Sequence, residues 1–166
     1  MLNGVELDAN KMPTGILCNN ANAKLRENIL SNISVSDRKN ALDHFIQDLI
    51  GKGVTTVNAM DGGYTFSDWD AETIYMYRDT FPIDIVLFYQ ITDVALIKSK
   101  GLDRMGGSIF VDGAFGSRNA ALAADYSDQP GWRGNLYYSD EELQALVSSC
   151  YENRIQLSVH TIGERA

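Results

Sequence analysis

The run Ser158-Val159-His160 passes into Thr161-Ile162-Gly163, so a β-branched segment delivers an imidazole into a glycine turn. A neutral imidazole at such a strand end can ligate a metal, or act as an acid or base near neutral pH. Taken alone, the same residue also fits a structural histidine hydrogen-bonded at a strand end. Asp112, closing Ser108-Ile109-Phe110-Val111, is a second chemistry-bearing residue in a comparable place. Asn58 and Asp61 stand after a third such run. If these runs are parallel strands, their C-terminal ends lie on one side of a sheet, and residues far apart in sequence converge there. His44 sits among charged neighbours in a helical segment and reads as a solvated surface residue.

Asp112-Gly113 alone is weak, because Asp-Gly marks turns in general. Its interest lies in the segment that follows, Ala114-Phe115-Gly116-Ser117-Arg118-Asn119-Ala120-Ala121-Leu122. Gly113 and Gly116, an arginine and a run of small residues in a long connection could wall a substrate pocket, with Arg118 as a binding cation. The connection spans 113–138, and loops of this length inside domains are commonly functional or disordered. A surface loop with one helical turn is the plainer alternative.

The elements that must position these residues follow from periodicity. Residues 1–20 read as irregular, and 1–35 as an irregular and helical lead-in, with Leu25, Ile29 and Ile33 on one face of a helix over 22–33. Ser36 is the expected N-cap of the next helix, where Leu42, Phe45, Ile46 and Leu49 recur at helical spacing and Gly51 and Gly53 close it. Strands are predicted over 54–59, 83–89, 108–112 and 155–160. Helices are predicted over 70–81, 92–99 and from Ser139, where Ser139 and Glu142 form a capping box. The nearly continuous apolar character of 83–89 fits a strand covered on both faces. Strand and helix alternate without a hairpin signal, which predicts a parallel sheet with right-handed crossovers.

Composition sets outer limits. The chain has 166 residues, enough for one domain with a sizeable core, and carries 22 acidic against 14 basic residues for a net charge of −8. Without clustered Lys and Arg, a nucleic-acid surface is not expected. No apolar run approaches the roughly 20 residues that span a bilayer, so no membrane partner is expected. Cys18 and Cys150 match no metal or redox spacing and read as free thiols. With no basic-then-apolar leader at Met1, a cytoplasmic location is the expectation.

The segments Phe110 to Leu122, Tyr126-Ser127-Asp128, Gly134-Asn135-Leu136 and His160-Thr161-Ile162-Gly163-Glu164-Arg165-Ala166 occur in an order that resembles the amidohydrolase family 3 branch of the metal-dependent hydrolases, which includes N-substituted formamide deformylase-like enzymes. The likeness extends back through Thr14-Gly15-Ile16-Leu17 and Gly53-Val54-Thr55-Thr56-Val57. It implies a TIM (β/α)8 barrel with one or two divalent metals, usually zinc, activating a water against an amide-type bond. It also implies that His160 is the metal ligand of the fifth barrel strand. Three departures stand out. The family's first-strand His-x-His pair, sixth-strand histidine and eighth-strand aspartate have no counterpart here. Ser108 stands where many members carry a lysine able to bridge two metals. Glu164 replaces an aspartate and Asn119 a threonine, changes expected to alter contacts around the ligands.

The expectation is therefore an α/β chain forming a single domain over 1–166. It is the second to fifth strand portion of a partial TIM barrel, an open four-stranded parallel sheet with flanking helices. Its expected function is as a fragment of a metal-dependent hydrolase of non-peptide carbon–nitrogen bonds, inactive in isolation. The expected site contains His160 as metal ligand, Asp112 as catalytic residue and Arg118 as substrate-binding residue, with zinc as cofactor and a small amide-type molecule as substrate. The two unpaired sheet edges predict homo-oligomerisation or association with the missing barrel portion. A truncated or degenerate relative serving as a non-catalytic interaction module is the rival. A flavodoxin-like domain uses the same alternation but would need a phosphate loop, which is absent.

Overall fold

Three of the long helices start on the same local device, a serine hydroxyl accepting a backbone N–H in the first turn while an acidic side chain three residues on accepts the serine's own N–H. The pairs are Ser34 with Asp37, Ser67 with Asp70, and Ser139 with Glu142. They open α2 (Val35–Gly51), α3 (Asp68–Tyr77) and α5 (Asp140–Glu152). The N-cap of α2 is Ser34 and not Ser36, because only Ser34 has an acidic residue at the position that reaches back. In this computed structural model, residues 4–17, 19–63 and 67–166 are described, except for the side chains of Asn19, Asn20, Ala23 and Ser108. The expectations for Cys18 and for the side chain of Ser108 fall outside that set.

The remaining helices are α1 (Asn19–Ser31) and α4 (Val94–Ser99), with a 3-10 turn at Arg78–Thr80. The strands are β1 (Val5–Leu7), β2 (Pro13–Leu17), β3 (Thr56–Asp61), β4 (Asp84–Tyr89), β5 (Arg104–Phe110) and β6 (Gln156–His160). The four strands β3-β4-β5-β6 form one sheet in that order, and every neighbouring pair is parallel. The expected α/β fold, an open four-stranded parallel sheet with flanking helices, is thus the observed one, and β3 and β6 are its edges.

The lead-in differs from expectation. Residues 1–20 were predicted to be irregular, yet β1 and β2 pair antiparallel. Asp8 makes the turn: its Oδ1 accepts the N–H groups of Asn10 and Met12, both at 2.8 Å, and its own N–H donates to the Met12 carbonyl. An Asx turn of this kind is a local side-chain device that hydrophobic alternation does not reveal.

On the helix-bearing face of the sheet, Leu87, Tyr89 and Met105 meet Ala71 and Ile74 of α3, Ile97 of α4 and Cys150 of α5 in one buried cluster. Cys150 is a free thiol whose pKa is raised by burial. Arg38 ties three helices together: its Nε donates to Asp70 Oδ1 at 2.6 Å, and its two terminal nitrogens reach the Leu30 and Ile33 carbonyls. By contrast, Leu25 and Ile29 of α1 are about half exposed.

Strand β5 begins earlier than predicted, at Arg104, and incorporates Gly106-Gly107, which the sequence placed before the strand. The pairing with β6 shifts between Gly106 and Ile109, so the pair of glycines forms a bulge. At Gly106, φ is +91° and a Cβ would overlap the Ser158 carbonyl of β6. Only glycine fits there without strain.

Candidate functional site

Beyond the last residues of β5 and β6 the chain makes a short, fully bonded rim. The Val111 N–H donates to the His160 carbonyl at 3.0 Å, continuing the parallel pairing past Phe110. Phe110 and His160 are register partners, and their rings pack edge to face with centroids 4.7 Å apart. Asp112 follows two residues later on the same rim. The expected convergence of Asp112 and His160 is therefore observed.

Asp112 is fully buried. Its Oδ1 accepts the Ile162 N–H at 2.9 Å, and its Oδ2 accepts those of Gly163 at 2.7 Å and Ala121 at 2.8 Å. Burial pushes its pKa up, but these three N–H groups and the nearby His160 outweigh burial, so the net shift is downward. A carboxylate enclosed in this way has no face open to a substrate. The expectation of a catalytic Asp112 gives way to a residue that bonds the loop and the end of β6 together.

His160 is half-buried and lies on the wall of a cavity of about 900 Å³. Its Nε2 is 3.1 Å from the Gly113 carbonyl oxygen. A carbonyl only accepts, so Nε2 donates in this contact, and in the neutral ring Nδ1 is then the lone-pair nitrogen. That is the pattern of a ligating imidazole, whose second nitrogen donates to a carbonyl or carboxylate.

The long connection is not a loose lid. The Asn119 carbonyl accepts the N–H groups of Gly113 and Asn135, each at 3.2 Å, while Ala120 and Ala121 are wholly buried. An isolated bridge joins Asp112 to Leu136. Gly163 packs directly on the Ala121 backbone, where a Cβ would overlap it. Small residues are required here because backbone lies against backbone.

Arg118 does not line the cavity. Its Nε and Nη2 both donate to Asp128 Oδ2, at 3.0 and 2.9 Å, on the exposed side of the loop. Arg118, expected to bind substrate, is thus engaged by Asp128, and its neighbours Ser117 and Asn119 line the cavity. Its backbone has φ +55°, a left-handed turn that directs consecutive side chains apart. Asp61 also departs from expectation. It faces the helices, in a separate groove with Arg38 and Asp70, and takes no part in the rim. Its carboxyl pKa is raised by burial and by the Asp70 charge.

Residues that the sequence reading missed complete the cavity: Gln90 and Thr92 after β4, and Tyr137 and Tyr138 at the end of the loop. Gln90 follows the last residue of β4, a position that strand-end logic could have flagged. The tyrosines carried no comparable signal. Among the described residues, no group of three or more His, Cys, Asp or Glu is placed to hold a metal. His160 is a suitable donor for one coordination position, and a catalytic zinc needs three protein ligands. No helix among the described residues is long and apolar enough to cross a membrane.

Residues 2–166 match the sequence model of an amidohydrolase family. YtcJ of Bacillus subtilis (strain 168), named as an amidohydrolase, is 27% identical over 176 residues, covering 96% of this chain and 32% of that protein. Two solved structures, each titled an uncharacterized metal-dependent hydrolase, share the fold. The one from Pyrococcus furiosus has a TM-score of 0.74 at 22% identity, covering 96% of this chain and 35% of its own. The one from Pyrococcus horikoshii OT3 has 0.73 at 24% identity, covering 96% and 34%. The chain thus spans about a third of the length of these relatives.

Proposed function

Because the chain belongs to the amidohydrolase family, we propose that it is the part of a metal-dependent hydrolase that supplies one metal ligand, His160, and one wall of the substrate cavity. The observation that carries this reading is the orientation of His160, with Nε2 turned to the Gly113 carbonyl at the mouth of a parallel sheet. We place the four strands as the second to fifth of a (β/α)8 barrel, whose remaining strands would bring the other ligands. A divalent metal, zinc by its fit to imidazole donors, would supply there an activated water for attack on a carbonyl carbon.

The chain's own residues do the rest of the work assigned here. Gly113 holds the tautomer and the ring plane of His160. Ile91, Ile109 and Phe110 offer an apolar wall, and Ser117, Asn119, Tyr137 and Tyr138 offer neutral hydrogen-bonding groups. Among the described residues, the cavity's one carboxylate, Asp93, caps α4 by accepting the Leu96 N–H, so the lining suits an uncharged amide-type molecule, with a non-peptide carbon–nitrogen bond as the target and a formamide-like substrate within the class. The isolated chain lacks the remaining ligands and is inactive on this reading.

Metal titration tests it. In a barrel completed by the remaining strands, cobalt(II) should give a visible absorption band that His160→Ala abolishes and His44→Ala leaves unchanged. Cobalt binding that survives His160→Ala in the completed barrel would overturn the ligand role, and a completed barrel that takes up no cobalt would favour a non-catalytic interaction module.

A further inference from the structure

The site depends on a buried carboxylate that reaches no substrate. We infer that Asp112 is the positioning residue of the rim, a clasp whose two oxygens fix the exit of β6 against the long loop and so set the orientation of His160. This rests on the ligand reading of His160 only for its functional meaning; the clasp itself is a matter of geometry.

The arrangement has three parts. Asp112 Oδ1 holds Ile162, and Oδ2 holds both Gly163 and Ala121, so one side chain bonds to segments 9, 50 and 51 residues away in sequence. Ile162 and Gly163 follow His160 by two and three residues, so holding their N–H groups fixes the direction in which the strand leaves the imidazole. Gly113 adjoins Asp112, and its carbonyl receives the His160 ring. The carboxylate therefore controls both the backbone that carries the ring and the backbone that accepts its hydrogen bond.

An asparagine would keep the shape and lose the function. It offers one oxygen, and its NH₂ would face backbone donors that need an acceptor. Three charge-assisted bonds are replaced by at most two neutral ones, and at least one buried N–H is left without a partner.

The test is made on the whole chain without metal, with ¹⁵N-labelled histidine. In the wild type, the ring spectrum of His160 should show the Nε2–H tautomer. In Asp112→Asn, it should show a mixture of tautomers, while His44 is unchanged and the thermal transition stays cooperative. An unchanged His160 tautomer in a folded Asp112→Asn chain would overturn the inference. If that variant does not fold, amide exchange of the wild type decides. The N–H groups of Ala121, Ile162 and Gly163 should exchange slowly and at a common rate, as one unit, although all three lie outside helices and strands. Fast or unrelated rates would overturn it. Because no metal is present, failure of cobalt to bind would count against the ligand role and leave this result standing.

Discussion

The Gly113 carbonyl oxygen sits 3.1 Å from His160 Nε2, joining the first residue of the long loop to a side chain 47 positions later. Gly113 is confined on its other side by Asn119, and an added Cβ would overlap both that side chain and its backbone. Gly113→Ala should therefore displace the carbonyl. Overpacking of this kind costs about 1–3 kcal/mol. Loss of a hydrogen bond to a ligating imidazole weakens metal binding by about 10–100-fold. Urea unfolding and cobalt titration of the same variant would measure both. Lower stability with unchanged cobalt affinity would show that the carbonyl does not orient the ring.

Arg118 and Asp128 form an ion pair in which both side chains are about half exposed. Each group stabilises the other's charge: the Asp128 carboxyl pKa is lowered and the Arg118 pKa raised, chiefly through their hydrogen bond. Exposed pairs contribute only a small stabilisation, because solvent and salt screen both charges. Arg118→Ala should destabilise by no more than that, with an effect that shrinks at high salt. Arg118→Gly should cost less than Arg118→Ala, because φ is +55° and glycine relieves the left-handed backbone. Neither substitution should alter cobalt binding, and a large change in it would return Arg118 to the site.

The contrast between Asp112 and Arg118 shows what was legible in the sequence. Alternating strands and helices placed the ends of β5 and β6 on one rim, and that placement requires only the parallel order of the sheet. His160 and Asp112 were found because one ends a strand and the other follows one by two residues, where the parallel order of the sheet fixes the rim they reach. Arg118 was misplaced because a residue in a loop points wherever its backbone turns, and a positive φ at a non-glycine residue leaves no mark in composition. Asp61 was misplaced by strand alternation: it falls in phase with Val57 and Ala59, which face the helices. The β1–β2 hairpin was hidden for a similar reason, since its turn depends on a single aspartate side chain.

Asp61 is partly buried near Asp70, and burial followed by the Asp70 charge raises its carboxyl pKa. A raised folded-state pKa means that the protonated form is preferred in the native state. Its contribution to stability is thus fully present below the unfolded pKa, near 3.9, and is lost as pH rises through the folded value. Asp61→Asn, which cannot ionise, should therefore stabilise the chain at pH 7, and the gain should shrink towards pH 4. Urea midpoints at the two pH values would show it. A variant less stable than wild type at pH 7 would mean that the charged carboxylate is satisfied in the native groove.

The bulge in β5 predicts a larger effect. At Gly106 a Cβ would overlap the Ser158 carbonyl, in a backbone region with φ +91°. Gly106→Ala must strain the backbone or separate β5 from β6, at a cost of at least about 2 kcal/mol. His160 lies two residues beyond Ser158, so the cost should be accompanied by a disturbed His160 ring spectrum. Thermal unfolding with histidine-labelled NMR would measure the two together. A stability close to wild type would mean that the bulge slides, with β6 pairing in a new register.

The sheet ends at β3 on one side and β6 on the other, and each edge presents unpaired backbone groups. The side chain of Met60 on β3 is 39% exposed on the face away from the helices, while Phe88 on β4 is buried. An edge with few guarding charges and an accessible apolar neighbour is a template for another strand. The chain should therefore self-associate with increasing concentration, or bind a polypeptide that supplies the adjoining strands of the barrel. Sedimentation velocity over a hundredfold range of concentration would detect the first outcome. Asn58→Lys, which sets a charge at an exposed position in the middle of the β3 edge strand, should shift the association towards monomer, whereas a wild-type chain that is monomeric throughout would show that both edges are protected as they stand.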